Sequence, residues 1–150
     1  MLEEKGTYLL FLSLQKEINI QVGSLGSISF EKGNFIYIGS ALGPGGLKKR
    51  VSRHLKQEKK IFWHIDYLLN NDFVDIKVYG AIYSNKKIEC DIVHLIKELF
   101  NEDLLSIKNF GSSDCNCVSH LLFFKIHSIK ELVSQLKDGI GKKQLDIVYL

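Results

Sequence analysis

Two tyrosines, an arginine and a histidine in this sequence have the types and spacing needed to cut a phosphodiester bond. Tyr8 opens one apolar run and Tyr37 lies in another, so the two side chains can stand on neighbouring strands. Arg50 and His54 follow four residues apart, which is one helical turn. Phosphodiester hydrolysis needs an activated water, a cation for the charge of the transition state, and help for the leaving oxygen. These four side chains could supply those functions.

Each of the four side chains has a chemical property that suits this reaction. The guanidinium of Arg50 is a planar fork that can bond two phosphate oxygens, which a lysine would not reproduce. His54 titrates near neutrality and could relay a proton. A tyrosine has an ordinary pKa of about 10, so Tyr8 and Tyr37 need cations beside them to act as bases. We expect the basic helix that carries Arg50 to supply those cations.

The hydrophobic pattern predicts the elements that must position these residues. Residues 7–14 are apolar at nearly every position, as in a strand that is covered on both faces. Residues 35–40 predict a second strand, with Tyr37 on one face. Residues 47–57 predict a helix, with Arg50 and His54 along the border of its apolar stripe. That stripe recurs at steps of four and consists of Leu47, Val51 and Leu55.

The rest of the chain predicts an α+β domain over residues 1–150, with one sheet and flanking helices. Glu89 shares its face of a predicted helix with apolar residues, so we expect it to point inward, whereas Asp91 falls on the polar side. The further predicted strands are 18–22, 27–30, 76–83, 121–126 and 146–149. The further predicted helices are 62–70, 89–100 and 129–137.

Composition sets limits on the class of protein. The chain has 150 residues, of which 45 % are hydrophobic and 25 % charged, as in one globular domain. No apolar stretch approaches the roughly 20 residues that span a bilayer. The N-terminus is too short and acidic to begin a signal peptide, and an odd number of cysteines fits a reducing compartment. We therefore expect a cytoplasmic protein with no membrane partner.

The positive charge of the chain is concentrated in one segment. The net charge is only +3, but residues 48–60 contain a single acid. A polyanion that contacts this segment would gain affinity through counterion release, although a solvated helix face would look the same. Besides Arg50, the residues that we expect to bind nucleic acid are Lys48, Lys49, Arg53, Lys56, Lys59 and Lys60.

The sequence also resembles a known family. The tripeptides Gly6-Thr7-Tyr8 and Tyr37-Ile38-Gly39, followed by Leu47-Lys48-Lys49-Arg50, are similar to the motifs of the GIY-YIG nuclease superfamily. The phrase Phe35-Ile36-Tyr37-Ile38-Gly39-Ser40-Ala41-Leu42-Gly43 resembles the small Uri-type branch. The long segment between the two tripeptides and the loop 43–46 are also similar to that branch.

The resemblance implies a fold and an activity. The implied fold is a GIY-YIG-like central antiparallel β-sheet flanked by α-helices, with an extra N-terminal hairpin. The implied activity is a divalent-metal-dependent endonuclease that hydrolyses DNA phosphodiester bonds in DNA repair or processing. The implied cofactor is Mg²⁺ or Mn²⁺, which suits a single carboxylate better than zinc does.

The resemblance also assigns roles to individual residues. Tyr8 and Tyr37 match the motif tyrosines, with Tyr37 as a phenolate or a water-orienting group. Arg50 matches the helix arginine, and His54 lies where the superfamily has histidine or tyrosine. Glu89 is the match for the metal-binding glutamate, with Asp91 as the fallback.

Several alternatives remain open from the sequence alone. The chain could be a nucleic-acid-binding module that keeps the fold without turnover and stacks bases on Phe62, Trp63 and Tyr67. A zinc site at Cys115, Cys117 and His120 is disfavoured by the one-residue spacing of its cysteines. The oligomeric state is open. Four polar residues could line the cleft or serve only as hydrogen-bonded structural residues: His64, Asp66, Asp114 and His120.

Overall fold

A computed structural model describes residues 4–56, 60–101, 104–111 and 119–150. These residues form one six-stranded sheet, a separate two-stranded hairpin, and helices that cover the sheet. From one edge to the other, the main sheet contains β6 (Leu105–Ser106), β7 (Leu121–Phe124), β4 (Gly33–Ala41), β1 (Gly6–Leu14), β5 (Val74–Tyr83) and β8 (Asp146–Tyr149). The helices are α1 (Gly46–Leu55), α2 (His64–Leu69), α3 (Glu89–Phe100) and α4 (Ile129–Ile140). The α+β prediction is confirmed, and every strand pairing among the described residues is antiparallel.

Strand β1 lies in the middle of the sheet because apolar side chains cover both of its faces. Tyr8, Leu10 and Leu12 point to one face, whereas Leu9 and Phe11 point to the other, and all five are buried. Burial of each large apolar side chain contributes about 2 kcal/mol to stability.

Each face of the sheet has its own helices. On the face of Tyr8, α1 and α2 contribute buried Leu47, Val51, Ile65 and Leu68 to the core. On the opposite face, α3 and α4 contribute a second set of buried residues, Val93, Ile96, Leu132, Val133 and Leu136. The first face, where α1 lies against the motif tyrosine, is therefore the one that positions the predicted chemistry.

The predicted extra hairpin is present. It consists of β2 (Ile18–Gln21) and β3 (Ser27–Phe30), which pair with each other between β1 and β4 in the chain and form their own sheet. Ile20 and Ile28 of the hairpin pack against the core that contains Tyr8. Because the hairpin lies outside the main sheet, β1 and β4 still pair over their full length, from Gly6 opposite Ala41 to Leu14 opposite Gly33.

Some details differ from the sequence prediction. Leu55 was assigned to the apolar stripe of α1, but it is 40 % exposed because the helix ends there and the backbone of Lys56 is extended. The strand predicted at 121–126 ends at Phe124, and α4 continues to Ile140. The two-residue strand β6 is too short to leave a periodic pattern. None of the described helices has the length and apolar character that a membrane span requires.

Candidate active site

The glycines of the two tripeptides allow close approaches within the sheet, and Gly39 makes room for the side chain of Tyr8. In the register of β1 and β4, Tyr8 lies opposite Gly39. A Cβ atom at Gly39 would overlap the phenol ring of Tyr8, and one at Gly6 would overlap the carbonyl oxygen of Ile82 in β5. Only glycine permits such close approaches. The two tripeptides therefore act together, because the glycine of one makes room for the tyrosine of the other.

The two motif tyrosines are neighbours. The ring centroids of Tyr8 and Tyr37 are 6.3 Å apart, with an angle of 49° between the ring planes. Tyr37 also packs edge-on against the ring of Phe110 at 6.3 Å. Both tyrosines are more than nine-tenths buried, so their rings have little freedom to move and the hydroxyl groups have fixed positions.

Helix α1 carries Arg50 and His54 to the tyrosines. Its N-cap is Gly45, with φ of +86°, a conformation that suits glycine and lets the chain turn sharply from β4 into the helix. Buried Leu47 and Val51 fix the helix on the sheet. As a result, Nε2 of the buried His54 lies 2.8 Å from the hydroxyl of Tyr8.

The guanidinium of Arg50 lies close to an aromatic ring and to the first tyrosine. Its Cζ atom is 4.3 Å from the ring centroid of Trp63, within the range of a cation–π contact. It is also close enough to the hydroxyl of Tyr8 to act against the rise in the pKa of that phenol. Because the ring of Trp63 packs against the guanidinium, the fork is oriented before any substrate arrives.

Glu89 enters the same region from the first turn of α3. It is 4 % exposed, and its apolar neighbours on the helix face, Val93, Ile96 and Phe100, are buried as well. This confirms the prediction that Glu89 points inward, whereas Asp91 is exposed. The atom Oε1 of Glu89 lies 3.8 Å from Nζ of Lys87.

The second carboxylate oxygen of Glu89 is the clearest sign of a ligand site. The buried atom Oε2 has no hydrogen-bond partner among the described residues. Leaving a charged oxygen without a partner in a buried position is costly, so such an atom calls for a functional explanation. A hard divalent cation that keeps several waters and takes a single protein carboxylate fits this oxygen. Within the described ranges no group of three or more His, Cys, Asp and Glu side chains could hold a metal, so Glu89 would be the main protein ligand.

Four of the five predicted catalytic residues line one cavity. It has a volume of about 380 Å³ and is partly open to solvent. The fifth, His54, does not line the cavity but contacts Tyr8, which does. The residues that line the cavity are Tyr8, Tyr37, Gly39, Ser40, Leu42, Gly43, Arg50, Trp63, Lys87, Glu89, Gly111 and His120. Residues that are far apart in the chain therefore meet at a single polar pocket.

The tyrosines are neutral in this environment. Burial raises the pKa of Tyr8 to about 12, although the charge of Arg50 and its hydrogen bond act in the opposite direction. Burial also raises the pKa of Tyr37 well above its ordinary value, again against the charge of Arg50. Both side chains are therefore phenols at neutral pH. Of the two roles considered for Tyr37, this favours the orientation of a water by hydrogen bonding over action as a phenolate.

The predicted nucleic-acid-binding residues have different surroundings. Lys48, Lys49, Lys56 and Lys60 are exposed, so their charges can reach a polyanion. Lys59 lies outside the described residues. Arg53 instead donates hydrogen bonds from Nη1 and Nη2 to the two carboxylate oxygens of Asp66, at 2.9 and 2.8 Å, and a further one to the carbonyl of Lys60. The guanidinium of Arg53 therefore has a structural partner, Asp66, in addition to the phosphate group that the sequence predicts it to bind.

Asp66 organises the loop that precedes α2. Its side chain is fully buried, and Oδ2 accepts hydrogen bonds from the backbone N–H groups of Phe62 and Trp63, both at 2.8 Å. Burial alone would raise the pKa of Asp66, but the bonds from Arg53, Trp63 and Phe62 outweigh it and lower the pKa below its ordinary 3.8. Asp66 therefore fixes Trp63, which in turn contacts Arg50.

Asp66→Asn is expected to destabilise the protein at neutral pH by about 3 kcal/mol, because it breaks a buried pair and leaves Arg53 without its carboxylate. Since the pKa of Asp66 is lower in the folded state, its stabilisation is complete above 3.8 and is lost as the pH falls through the lowered value. Urea denaturation of both proteins at neutral pH and below 3.8 checks this. An equal difference at both pH values would contradict it. Asp75→Asn, a surface carboxylate, is the control.

The polar residues left open by the sequence have different positions. His120 lines the cavity, and burial lowers its pKa, although the charge of Glu89 acts to raise it. Nδ1 of His64 accepts a hydrogen bond of 3.0 Å from the backbone N–H of Gly111, a residue that lines the cavity together with Tyr37. Asp66 is structural, as described above, and Asp114 lies outside the described residues. Lys87, which lines the cavity, was assigned no chemical role from the sequence, although it precedes Glu89 by only two residues.

The cysteines give one correction. The odd number of cysteines was interpreted as a sign of reduced thiols, but Cys90 is disulfide-bonded. Its sulfur also lies 3.7 Å from Nε2 of His120. Cys115 and Cys117 of the disfavoured zinc site lie outside the described residues. Oxidation of Cys90 removes the cysteine count as support for a reducing compartment.

The fold and the cavity define an α+β protein with a polar pocket formed by a tyrosine pair, a basic helix and a buried carboxylate. Residues 7–142 match the family described as Domain of unknown function DUF123, and the chain belongs to this family. No curated protein and no solved structure gives a match. A fold does not by itself determine a function, so the chemistry of the pocket is the guide to function.

Proposed function

We propose that this protein is a divalent-metal-dependent endonuclease of the GIY-YIG type, which hydrolyses phosphodiester bonds of DNA. The observation that carries the proposal is the meeting of Tyr8, Tyr37, Arg50 and Glu89 at one cavity. The four residues were selected from the sequence because they match motifs similar to those of nucleases. The fold brings them close together in space. A cation, hydrogen-bonding phenols and a carboxylate in one pocket match the needs of phosphodiester hydrolysis.

Each side chain has its own role in the proposed reaction. Arg50 is held by Trp63 close to Tyr8, so it can present its donors to two phosphate oxygens and stabilise their growing charge. Tyr37, a neutral phenol, orients the attacking water or a phosphate oxygen by hydrogen bonding. In the tautomer of His54 that is protonated on Nδ1, the hydroxyl of Tyr8 donates to Nε2, which fixes the phenol oxygen toward Arg50.

Glu89 would hold the divalent cation through Oε2, the buried oxygen that has no hydrogen-bond partner among the described residues. A bound Mg²⁺ or Mn²⁺ supplies charge for the leaving oxygen and lowers the pKa of a bound water. The ammonium of Lys87, 3.8 Å from Oε1, reduces the negative charge of Glu89. Cation binding is therefore expected to be weak without the phosphate of the substrate.

The proposal is tested by incubating the purified protein with labelled duplex, flap, branched and single-stranded DNA, and with the matching RNA. Each substrate is tested with Mg²⁺, with Mn²⁺ and with a chelator. We expect cleavage of DNA with either metal and none with the chelator. Binding without cleavage under every condition would contradict hydrolysis. It would favour the alternative of a binding module, which the exposed lysines around α1 also suit.

Tyr37→Phe is expected to reduce the single-turnover rate of cleavage by about 100-fold while it changes DNA affinity less than about threefold. The substitution removes only the hydroxyl, so the packing against Tyr8 and Phe110 is kept. Rate and affinity are measured separately, the affinity in the presence of a chelator. Tyr149→Phe, which removes an exposed hydroxyl from β8, is the control. Equal losses of rate and affinity would argue that Tyr37 binds DNA without acting in the chemical step.

A further inference from the structure

An exposed aromatic side chain packs against Trp63, which lines the cavity, and has no part in the chemistry described above. The side chain of Phe62 is 75 % exposed, the largest exposed fraction among the large apolar side chains of the described residues. Its ring packs edge-on against Trp63, with 4.8 Å between the centroids and 78° between the planes. Trp63 in turn lines the cavity and contacts Arg50 at 4.3 Å. One ring therefore separates Phe62 from the guanidinium of Arg50.

Hydrogen bonds hold the backbone at Phe62 in place, so the exposed ring has a defined position. The backbone N–H of Phe62 donates to Oδ2 of the fully buried Asp66 at 2.8 Å, and so does that of Trp63. Asp66 is itself held by two hydrogen bonds from Arg53. Stacking of a ligand on Phe62 therefore requires little additional ordering of the protein.

The surroundings of Phe62 are positively charged. The guanidinium groups of Arg50 and Arg53 each lie 4.3 Å from the ring of Trp63. Lys60, two residues before Phe62, is exposed. Among the described residues, the acidic side chain that contacts this group is Asp66, and its charge is matched by Arg53. A flat apolar surface within a cationic patch is complementary to a nucleotide, which joins an aromatic base to a phosphate.

We propose that Phe62 stacks on an unpaired nucleobase of the substrate, next to the phosphodiester held by Arg50. The substrate class is therefore DNA with at least one unpaired nucleotide beside the cleaved bond, such as a single strand, a flap or a loop. This inference rests on the proposed nuclease function and specifies its substrate. In a duplex both faces of an internal base are covered by its neighbours, so a side chain on the protein surface can stack only on a base that has left the stack.

The test measures binding in a chelator, so that it does not depend on cleavage. Fluorescence anisotropy gives the affinity for a single strand, for the same sequence as a duplex, and for single strands with one abasic site at successive positions. The proteins are the wild type, Phe62→Ala and Phe62→Tyr. Phe73→Ala is the matched control, because Phe73 is a partly exposed phenyl whose ring contacts Lys16 and not Trp63. The fluorescence of Trp63, the single tryptophan of the chain, gives a second readout of base stacking.

We expect Phe62→Ala to bind the single strand about 10-fold more weakly and the duplex with unchanged affinity. Phe62→Tyr should restore binding, and Phe73→Ala should leave it unchanged. One abasic position should weaken binding to the wild type but not to Phe62→Ala. Unchanged single-strand binding by Phe62→Ala would overturn the proposal, as would an equal loss for duplex, which would indicate a wedge between paired bases. Self-association of the wild type that Phe62→Ala abolishes would also overturn it.

The two proposals fail in different ways. Metal-dependent cleavage together with single-strand binding that ignores Phe62 would leave the nuclease function intact and refute the stacking. Phe62-dependent binding of unpaired bases without cleavage by any metal would support the stacking and refute hydrolysis.

Discussion

Glu89→Gln is expected to reduce metal-dependent cleavage of DNA by about 10³-fold or more, the largest effect that we expect from a single substitution. A metal ion in such a site is worth several kcal/mol of transition-state stabilisation, and about 4 kcal/mol corresponds to 10³ in rate. Glutamine has the same shape as glutamate, so the first turn of α3 keeps its packing. The substitution also removes a buried charge, so the protein should fold at least as stably as the wild type.

The measurements for Glu89→Gln are single-turnover cleavage and Mn²⁺ binding in the presence of an uncleavable oligonucleotide. Loss of cleavage together with loss of Mn²⁺ binding is the expected result. The matched control is Asp91→Asn, because Asp91 lies two residues along the same helix but is exposed. If Asp91→Asn lost both properties and Glu89→Gln kept them, the metal would belong to Asp91 and the assignment of Glu89 would be wrong.

Arg50→Lys is expected to reduce the cleavage rate by about 10²- to 10³-fold. Lysine keeps the positive charge but loses the planar fork, the stacking on Trp63 and the second hydrogen bond to phosphate. Affinity for DNA should fall much less, because the exposed lysines of α1 remain. Rates are compared with those of the wild type under single-turnover conditions, after thermal melts have shown that both proteins are folded.

Chemical rescue separates a catalytic role of Arg50 from a structural one. In Arg50→Ala the cavity gains space beside Trp63, and added guanidinium ions could occupy it. Partial recovery of the rate with millimolar guanidinium, but not with the same concentration of ammonium, would support the role of the planar fork. Equal activity of Arg50→Lys and the wild type would contradict it.

Much of the fold could be predicted from sequence, because its strands and helices have long periodic patterns of apolar residues and bury those side chains. The helix 89–100 and the strand 146–149 were predicted with the bounds that the structure has. The inward direction of Glu89 followed from its apolar helix neighbours. The prediction was incomplete where the apolar pattern is short, as at the two residues of β6. It was also incomplete at the end of α1, where Leu55 is exposed.

The candidate site was less accessible to sequence reasoning, because contacts between distant residues decide it. The motif suggested Tyr8, Tyr37 and Arg50 as a group, but it could not show that Gly39 makes room for the ring of Tyr8. Similarly, Arg53 looked like one more basic residue of α1, and its two bonds to Asp66 are visible only when α2 is packed beside α1.

Sequence also left the ionisation of the tyrosines open, with Tyr37 as a phenolate or as a water-orienting group. The basic helix was expected to supply cations beside the tyrosines, and a nearby cation lowers the pKa of a phenol because it stabilises the phenolate. The depth of the pocket reverses that result, because burial raises the pKa of both Tyr8 and Tyr37 despite Arg50. Burial is a property of the whole fold, so no local spacing could have given this answer.

The placement of a metal ion and a phosphate in crystals tests the proposed pocket most directly. The protein would be crystallised with Mn²⁺ and an oligonucleotide that carries a non-hydrolysable linkage, and the Mn²⁺ located by its anomalous scattering. We expect Mn²⁺ on the carboxylate of Glu89, with a backbone phosphate bonded to the guanidinium of Arg50 and within reach of the Tyr37 hydroxyl. A nucleic acid and a metal ion bound elsewhere, with this cavity filled only by water, would contradict the proposal.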